Sequence, residues 1–194
     1  MTGEICPVCG TVCGFRRISD YRRTVLDLVE GRVGRVSVAR FQCQGTPGQW
    51  PTFSLLPYQL VPYFQYTLES MVRALLVWWL FWKRPGVSGS AYHTAEVLDE
   101  ELYGESGVTS WRLRFWALLF RSWLRAVQAE LAMEYDFTKV RFAGGFPQIL
   151  DELHDYFAAL SRGPPAREAG VLLSVRLHSE KTGRFVLGVP SQGR

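Results

Sequence analysis

Every cysteine of this chain lies before residue 44, and three of the four fall within eight residues: Cys6, Cys9 and Cys13, then Cys43. Cys6-Pro7-Val8-Cys9-Gly10 is a CPxCG knuckle. Two thiolates separated by two residues can grip one metal ion, and the following glycine permits the tight turn that aims backbone N–H groups at the sulfurs. The amino terminus enters Cys and Gly rather than an apolar run. This predicts a cytoplasmic protein without a secretory signal, and a metal site in preference to disulfides.

A complete zinc ribbon would follow its first knuckle with a β hairpin and then a second CxxC. Residues 24–30 and 35–43 are rich in Val, Leu and Phe, and Gly31-Arg32-Val33-Gly34 joins them as a turn. The second knuckle is broken, because Thr46 stands three residues after Cys43. Cys13 is then the fourth candidate, giving the ligand set Cys6, Cys9, Cys13 and Cys43. Should Cys13 not reach, the site keeps three thiolates and a water, or loses its metal. The histidines, His93, His154 and His178, are too distant in sequence to complete the set. A structural zinc suits so small a β module, since such sites contribute roughly 10–16 kcal/mol to folding.

Pro47, Pro51 and Pro57 read as a linker that ends the module. Pro62 is placed to open a helix over residues 63–82, stopped by Lys83-Arg84-Pro85-Gly86. Its stretch 74–82 is apolar on every side, but a membrane span needs about 20 such residues, so no membrane partner is expected. Further helices are predicted over residues 91–103, 111–134 (capped by Thr109 or Ser110) and 148–160. The tail reads as a β hairpin, with strands at 171–178 and 184–189. The expected fold class is thus α+β: a zinc-ribbon-like module (1–57), a helical domain of helix-turn-helix outline (58–135), and a short helix plus hairpin (136–194).

The helix from residue 111 has the clearest periodicity. At about 100° per residue, Arg114, Arg121 and Arg125 fall within roughly 40° of one another, opposite Trp116, Leu119, Phe120, Trp123 and Val127. In a helix-turn-helix this second helix lays its amino-terminal end, here Thr109 to Arg114, in the major groove. Arginine there can grip guanine, and Arg121 and Arg125 would follow the phosphates. The acids oppose this reading: residues 91–135 hold four basic against seven acidic side chains. The first fifty residues are the more basic, with Arg16, Arg17, Arg22, Arg23, Arg32, Arg35 and Arg40 interleaved with Phe15, Tyr21 and Phe41. No HxH, HExxH, nucleophile elbow or phosphate loop is present, and the acids fall on predicted helices rather than around a sheet. The sequence therefore predicts no enzyme and no small-molecule substrate.

Cys6-Pro7-Val8-Cys9-Gly10, Arg40-Phe41-Gln42-Cys43 and Thr52-Phe53-Ser54-Leu55-Leu56-Pro57 together resemble a family of bacterial insertion-sequence-associated proteins. These begin with a zinc ribbon of the form CPxCG…RxxCxxC…TFSLLP and continue into a helix-turn-helix. The resemblance covers residues 5–66 and implies Cys6, Cys9 and Cys43 as ligands and DNA as partner, with a transposase as a further one; self-association, a second copy docking through the Trp-rich helix 74–82, is expected from that helix instead. Two functions follow as expectations. One is a zinc-stabilised protein that binds duplex DNA through Arg22, Arg23, Arg112, Arg114, Arg121 and Arg125. The other is an adaptor that docks a protein through the Trp-rich helix 74–82, with Trp78, Trp79, Phe81 and Trp82 forming one exposed patch.

Overall fold

The structure is a computed structural model, described here for residues 6, 9, 12–45, 51–56, 60–61, 64–101, 104, 106–132, 135–137, 144–162 and 166–182, with backbone alone at 179, 180 and 182. It is α+β: three antiparallel strands in the order β1-β2-β3, then five helices. Strands β1 (Phe15–Asp27) and β2 (Arg32–Cys43) form one long hairpin around a turn at residues 28–31. The turn needs a left-handed residue, supplied by Gly31 at φ 63°. Asp27 then accepts from the Val29 and Glu30 N–H groups and closes it.

Strand β3 (Thr52–Leu55) lies inside the stretch expected to be a linker, and pairs Ala39 with Leu55 and Gln42 with Thr52. Phe53 brings its ring beside Phe15 and Phe41, at centroid separations of 5.6 and 5.7 Å. That contact gives this short strand its reason to add to the sheet.

Helix α1 (Leu68–Lys83) begins later than residue 63, because Thr67 accepts from the Ser70 N–H and caps it. Pro62 lies outside the described residues. Helices α2 (Ala91–Glu100), α3 (Ser110–Leu131) and α4 (Phe146–Leu160) fall close to their expected places, with Ser90 capping α2 and Thr109 capping α3. One core joins them, centred on Trp116, Phe120, Phe157, Tyr156, Leu75 and Leu113.

The expected tail hairpin is corrected: residues 171–178 lie in helix α5 (Glu168–Thr182). A strand would bury alternate residues, yet Leu173 and Leu177 are exposed while Val171, Ser174 and Val175 are buried. That spacing is helical. Ser174 fixes the packing, donating to the Leu160 carbonyl at 2.6 Å and lying 2.8 Å from the Tyr135 hydroxyl. The expected second strand, 184–189, lies outside the described residues. Among the described residues no helix is long and apolar enough to cross a membrane.

Candidate metal centre and basic surfaces

The hairpin's open end carries the cysteines. Cys43 is the last residue of β2, Cys13 sits just before β1, and Cys6 and Cys9 come round from the amino-terminal side. All four Sγ atoms lie within 4.8 Å of one another. Cys9 and Cys13 approach to 3.4 Å, Cys13 and Cys43 to 3.6 Å, and Cys43 and Cys9 to 3.6 Å. A disulfide needs about 2.05 Å, and no disulfide joins any of the four. A tetrahedral ion bound at about 2.3 Å holds its sulfurs about 3.8 Å apart, so this set fits one metal ion. Cys13 thus takes the corner that the missing second knuckle would have filled.

Backbone and neighbours shape the site. The Gly45 N–H points at the Cys43 Sγ across 3.4 Å. Gly45 also has no room for a side chain, since a Cβ there would come within 2.7 Å of the Cys13 Cβ and 2.9 Å of its sulfur. Without a cation, sharing a site makes the thiolate form costly. Hydrogen bonding to Cys9, then burial, push the Cys13 thiol up to about 12. At Cys43 the Gly45 N–H is the largest influence and favours the thiolate, but burial and the Cys6 and Cys9 thiols outweigh it and raise the pKa. Metal uptake therefore has to displace protons at neutral pH.

Of the six arginines expected at DNA, the helical four are engaged with the protein itself. Arg121 and Arg125 converge on Glu152 of α4, at 2.9 and 2.8 Å, and the Glu152 side chain is fully buried. The buried face of α3 runs through Leu113, Ala117, Phe120 and Leu124, so Arg121 and Arg125 flank the core instead of opposing it. Arg112 turns back to the Tyr66 hydroxyl at 2.8 Å and to the Gly107 carbonyl. Arg114 lies over the Phe146 ring, 5.9 Å from its centroid. The α2–α3 connection, residues 101–109, is itself anchored, with Tyr66 donating to the Ser106 carbonyl and Ser106 to Asp99. It is longer than the three or four residues of a helix-turn-helix.

The two expected in the sheet differ. Arg23 donates to the Val61 carbonyl at 2.8 Å, while Arg22 is exposed. Arg22 stands opposite Ser37, and Thr24 opposite Arg35, so Arg22 and Arg35 are diagonal neighbours on one face. Arg16 and Arg40 are diagonal on the other face and reach Gln42 and Thr52. Arg17 and Arg32 are paired with Asp20 and Glu30. Arg16, Arg22, Arg35 and Arg40 are exposed and have no acidic partner among the described residues.

The tryptophan patch of the adaptor reading is largely interior. Trp78 is buried and donates to the Gly89 carbonyl. Trp79 donates to Asp151 and stacks on His154 at 3.7 Å, and Phe81 packs near His93. Only Trp82 of the four is exposed.

Glu152 escaped the sequence reading, although a signal was there. It occupies the apolar stripe Ile149, Leu153, Tyr156, Leu160, where a lone acid requires a buried cation. In comparisons with known proteins, no family model, no curated sequence and no solved structure matches this chain.

Proposed function

We propose that this chain is a non-catalytic nucleic-acid-binding protein whose amino-terminal sheet is fixed by zinc and holds duplex DNA through exposed arginines. The observation that carries the reading is the convergence of four thiols at the end of a hairpin bearing Arg16, Arg22, Arg35 and Arg40 without acidic partners among the described residues. Four sulfur ligands leave no open coordination position, which suits a structural zinc ion better than a catalytic one. The expected contact surface moves from α3 to the sheet, because Arg112, Arg121 and Arg125 are held by Tyr66 and Glu152.

Fluorescence anisotropy with duplex DNA across a salt series tests it. Each lost phosphate contact lowers the slope of log K against log salt by about 0.9. Arg22→Ala/Arg35→Ala is therefore expected to cut the slope by about 2, while Arg121→Ala/Arg125→Ala changes stability and leaves the slope alone. Absence of binding at low salt in zinc-loaded protein would refute the reading. Metal analysis of the purified protein checks the ion, with one zinc per chain expected.

A further inference from the structure

The amino-terminal half of α3 exposes a stripe that the core does not use. Trp111, Phe115 and Leu118, spaced i, i+4, i+7 on one side of the helix, are 68%, 38% and 47% exposed. The rings are ordered. Trp111 and Phe115 stack with centroids 5.4 Å apart and planes 4° from parallel, and Phe64 continues the row at 5.9 Å and 28°. Phe64 belongs to the segment that the sheet holds. Arg23 of β1 donates to the Val61 carbonyl, and the Leu26 N–H donates to the Gln65 carbonyl at 2.7 Å. The row thus starts beside the end of β1 and finishes at the largely exposed Trp111.

Its charge setting selects the occupant. The helix carries four arginines and its only acid, Glu130, lies in the last turn. Arg114 is exposed one turn after Trp111. A row of stacked rings ending in an exposed indole, on a half-helix that holds Arg112 and Arg114 and no acid, is what a polyanion with stackable bases requires. A duplex keeps its bases stacked on each other and cannot use such a face; an unpaired strand can.

We infer that the Phe64–Phe115–Trp111 row receives unpaired bases, so that the preferred nucleic acid is a duplex continuing into a single strand. The inference rests on the reading of the sheet as a duplex-binding surface. Stacking adds affinity with little dependence on base identity, and the chain would recognise the form of its target through this row.

The test compares a blunt duplex with the same duplex carrying a single-stranded oligothymidine tail, by anisotropy at one salt concentration with zinc-loaded protein. The tail is expected to tighten binding about 5- to 150-fold for one stacked base. Trp111→Ala should abolish that gain while leaving blunt-duplex affinity unchanged, and Trp111→Phe should restore most of it. Because Trp111 is exposed, its variants should keep the wild-type circular dichroism. Equal affinity for the two probes would overturn the inference, as would a tail gain that survives Trp111→Ala. So would loss of a dimer in Trp111→Ala, seen by light scattering, with the gain intact, since the row would then serve self-association. Tail-dependent binding without blunt-duplex binding would support the row and refute the duplex reading of the sheet. Failure to bind either probe would refute both.

Discussion

Replacing Glu152 by alanine should be among the most damaging single changes in the helical region. Its carboxylate accepts from Arg121 Nε at 2.9 Å, and from Arg125 Nε and Nη2 at 2.8 and 3.0 Å, with no exposed surface of its own. Each charge pair at about 4 Å is worth about 4 kcal/mol at an effective dielectric of 20. The Arg125 contribution must be discounted, because that side chain is 36% exposed, against 16% for Arg121. Desolvation of the carboxylate offsets much of what remains. The net loss on removing one partner of such a group is about 3–5 kcal/mol, since both guanidinium groups then lose the buried carboxylate that holds them. In urea, with a slope near 2 kcal/mol per molar, the unfolding midpoint should fall by roughly 1.5–2.5 M. Circular dichroism and tryptophan fluorescence should report the same midpoint if the transition is two-state. Arg121→Ala should cost more than Arg125→Ala. A loss below about 1 kcal/mol for Glu152→Ala would refute the idea that this carboxylate ties α3 to α4.

Three further outcomes are expected. Gly45→Ala should weaken metal binding by about 1–3 kcal/mol, measured by competition with a chromophoric chelator, because its Cβ would press on Cys13 at 2.7 Å. Val175→Asp should destabilise strongly while Leu173→Asp changes stability by no more than about 0.5 kcal/mol in thermal melts; comparable costs for the two would restore a strand there, since a strand puts 173 and 175 on one face. Glu69→Gln should make the protein relatively more heat-stable at neutral than at acid pH. Burial, then Asp27, Glu168 and Glu30, raise the Glu69 pKa above its ordinary 4.5. A carboxyl with a raised folded pKa contributes stability below its unfolded pKa and loses it as pH rises through the folded one, so wild type should decline relative to the Glu69→Gln variant above about pH 4.5. A difference in melting temperature that does not change between pH 4 and pH 7 would refute the assignment.

Local chemistry was legible in the sequence wherever it was written in short range. The grouping of Cys6, Cys9 and Cys13 and the Thr109 cap follow from a few adjacent residues, and the structure has them. A hairpin is there too, but its turn lies at residues 28–31, not at the expected 31–34, because Asp27 and Gly31 close it early. What escaped depends on partners far along the chain. Strand β3 needs Phe53 to meet Phe15 and Phe41 across the sheet, so the surrounding prolines outweighed it in one dimension. The 171–178 segment alternates apolar residues well enough for a strand, and only Tyr135 and the Leu160 carbonyl, both meeting Ser174, reveal the helix. The arginines of α3 read as a DNA-facing stripe because a helical wheel has no neighbour in it. The face they occupy is where α4 brings Glu152.

The two ends of the sheet explain why so small a β module would hold a metal at all. Strand β1 runs for 13 residues, about 40 Å at the usual rise. Its far end is fastened to the helices: the Leu26 N–H donates to the Gln65 carbonyl, the Thr67 N–H to the Leu26 carbonyl, and the Leu28 N–H to Ser70, next to the cap of α1. Its near end packs the rings of Phe15, Phe41 and Phe53 together beside the buried Cys6 and Cys43, among the described residues. A hairpin with a four-residue third strand and so little apolar cover is marginal by itself. A metal ion joining Cys43 to Cys13, Cys9 and Cys6 would close that end with bonds where packing cannot. Arg22 and Arg35 then sit between two fixed points, and a charged side chain on a fixed strand loses less freedom on meeting a phosphate than one on a fraying strand. On the proposed reading, the cysteines and the arginines would be parts of one device, the first setting how firmly the second are presented.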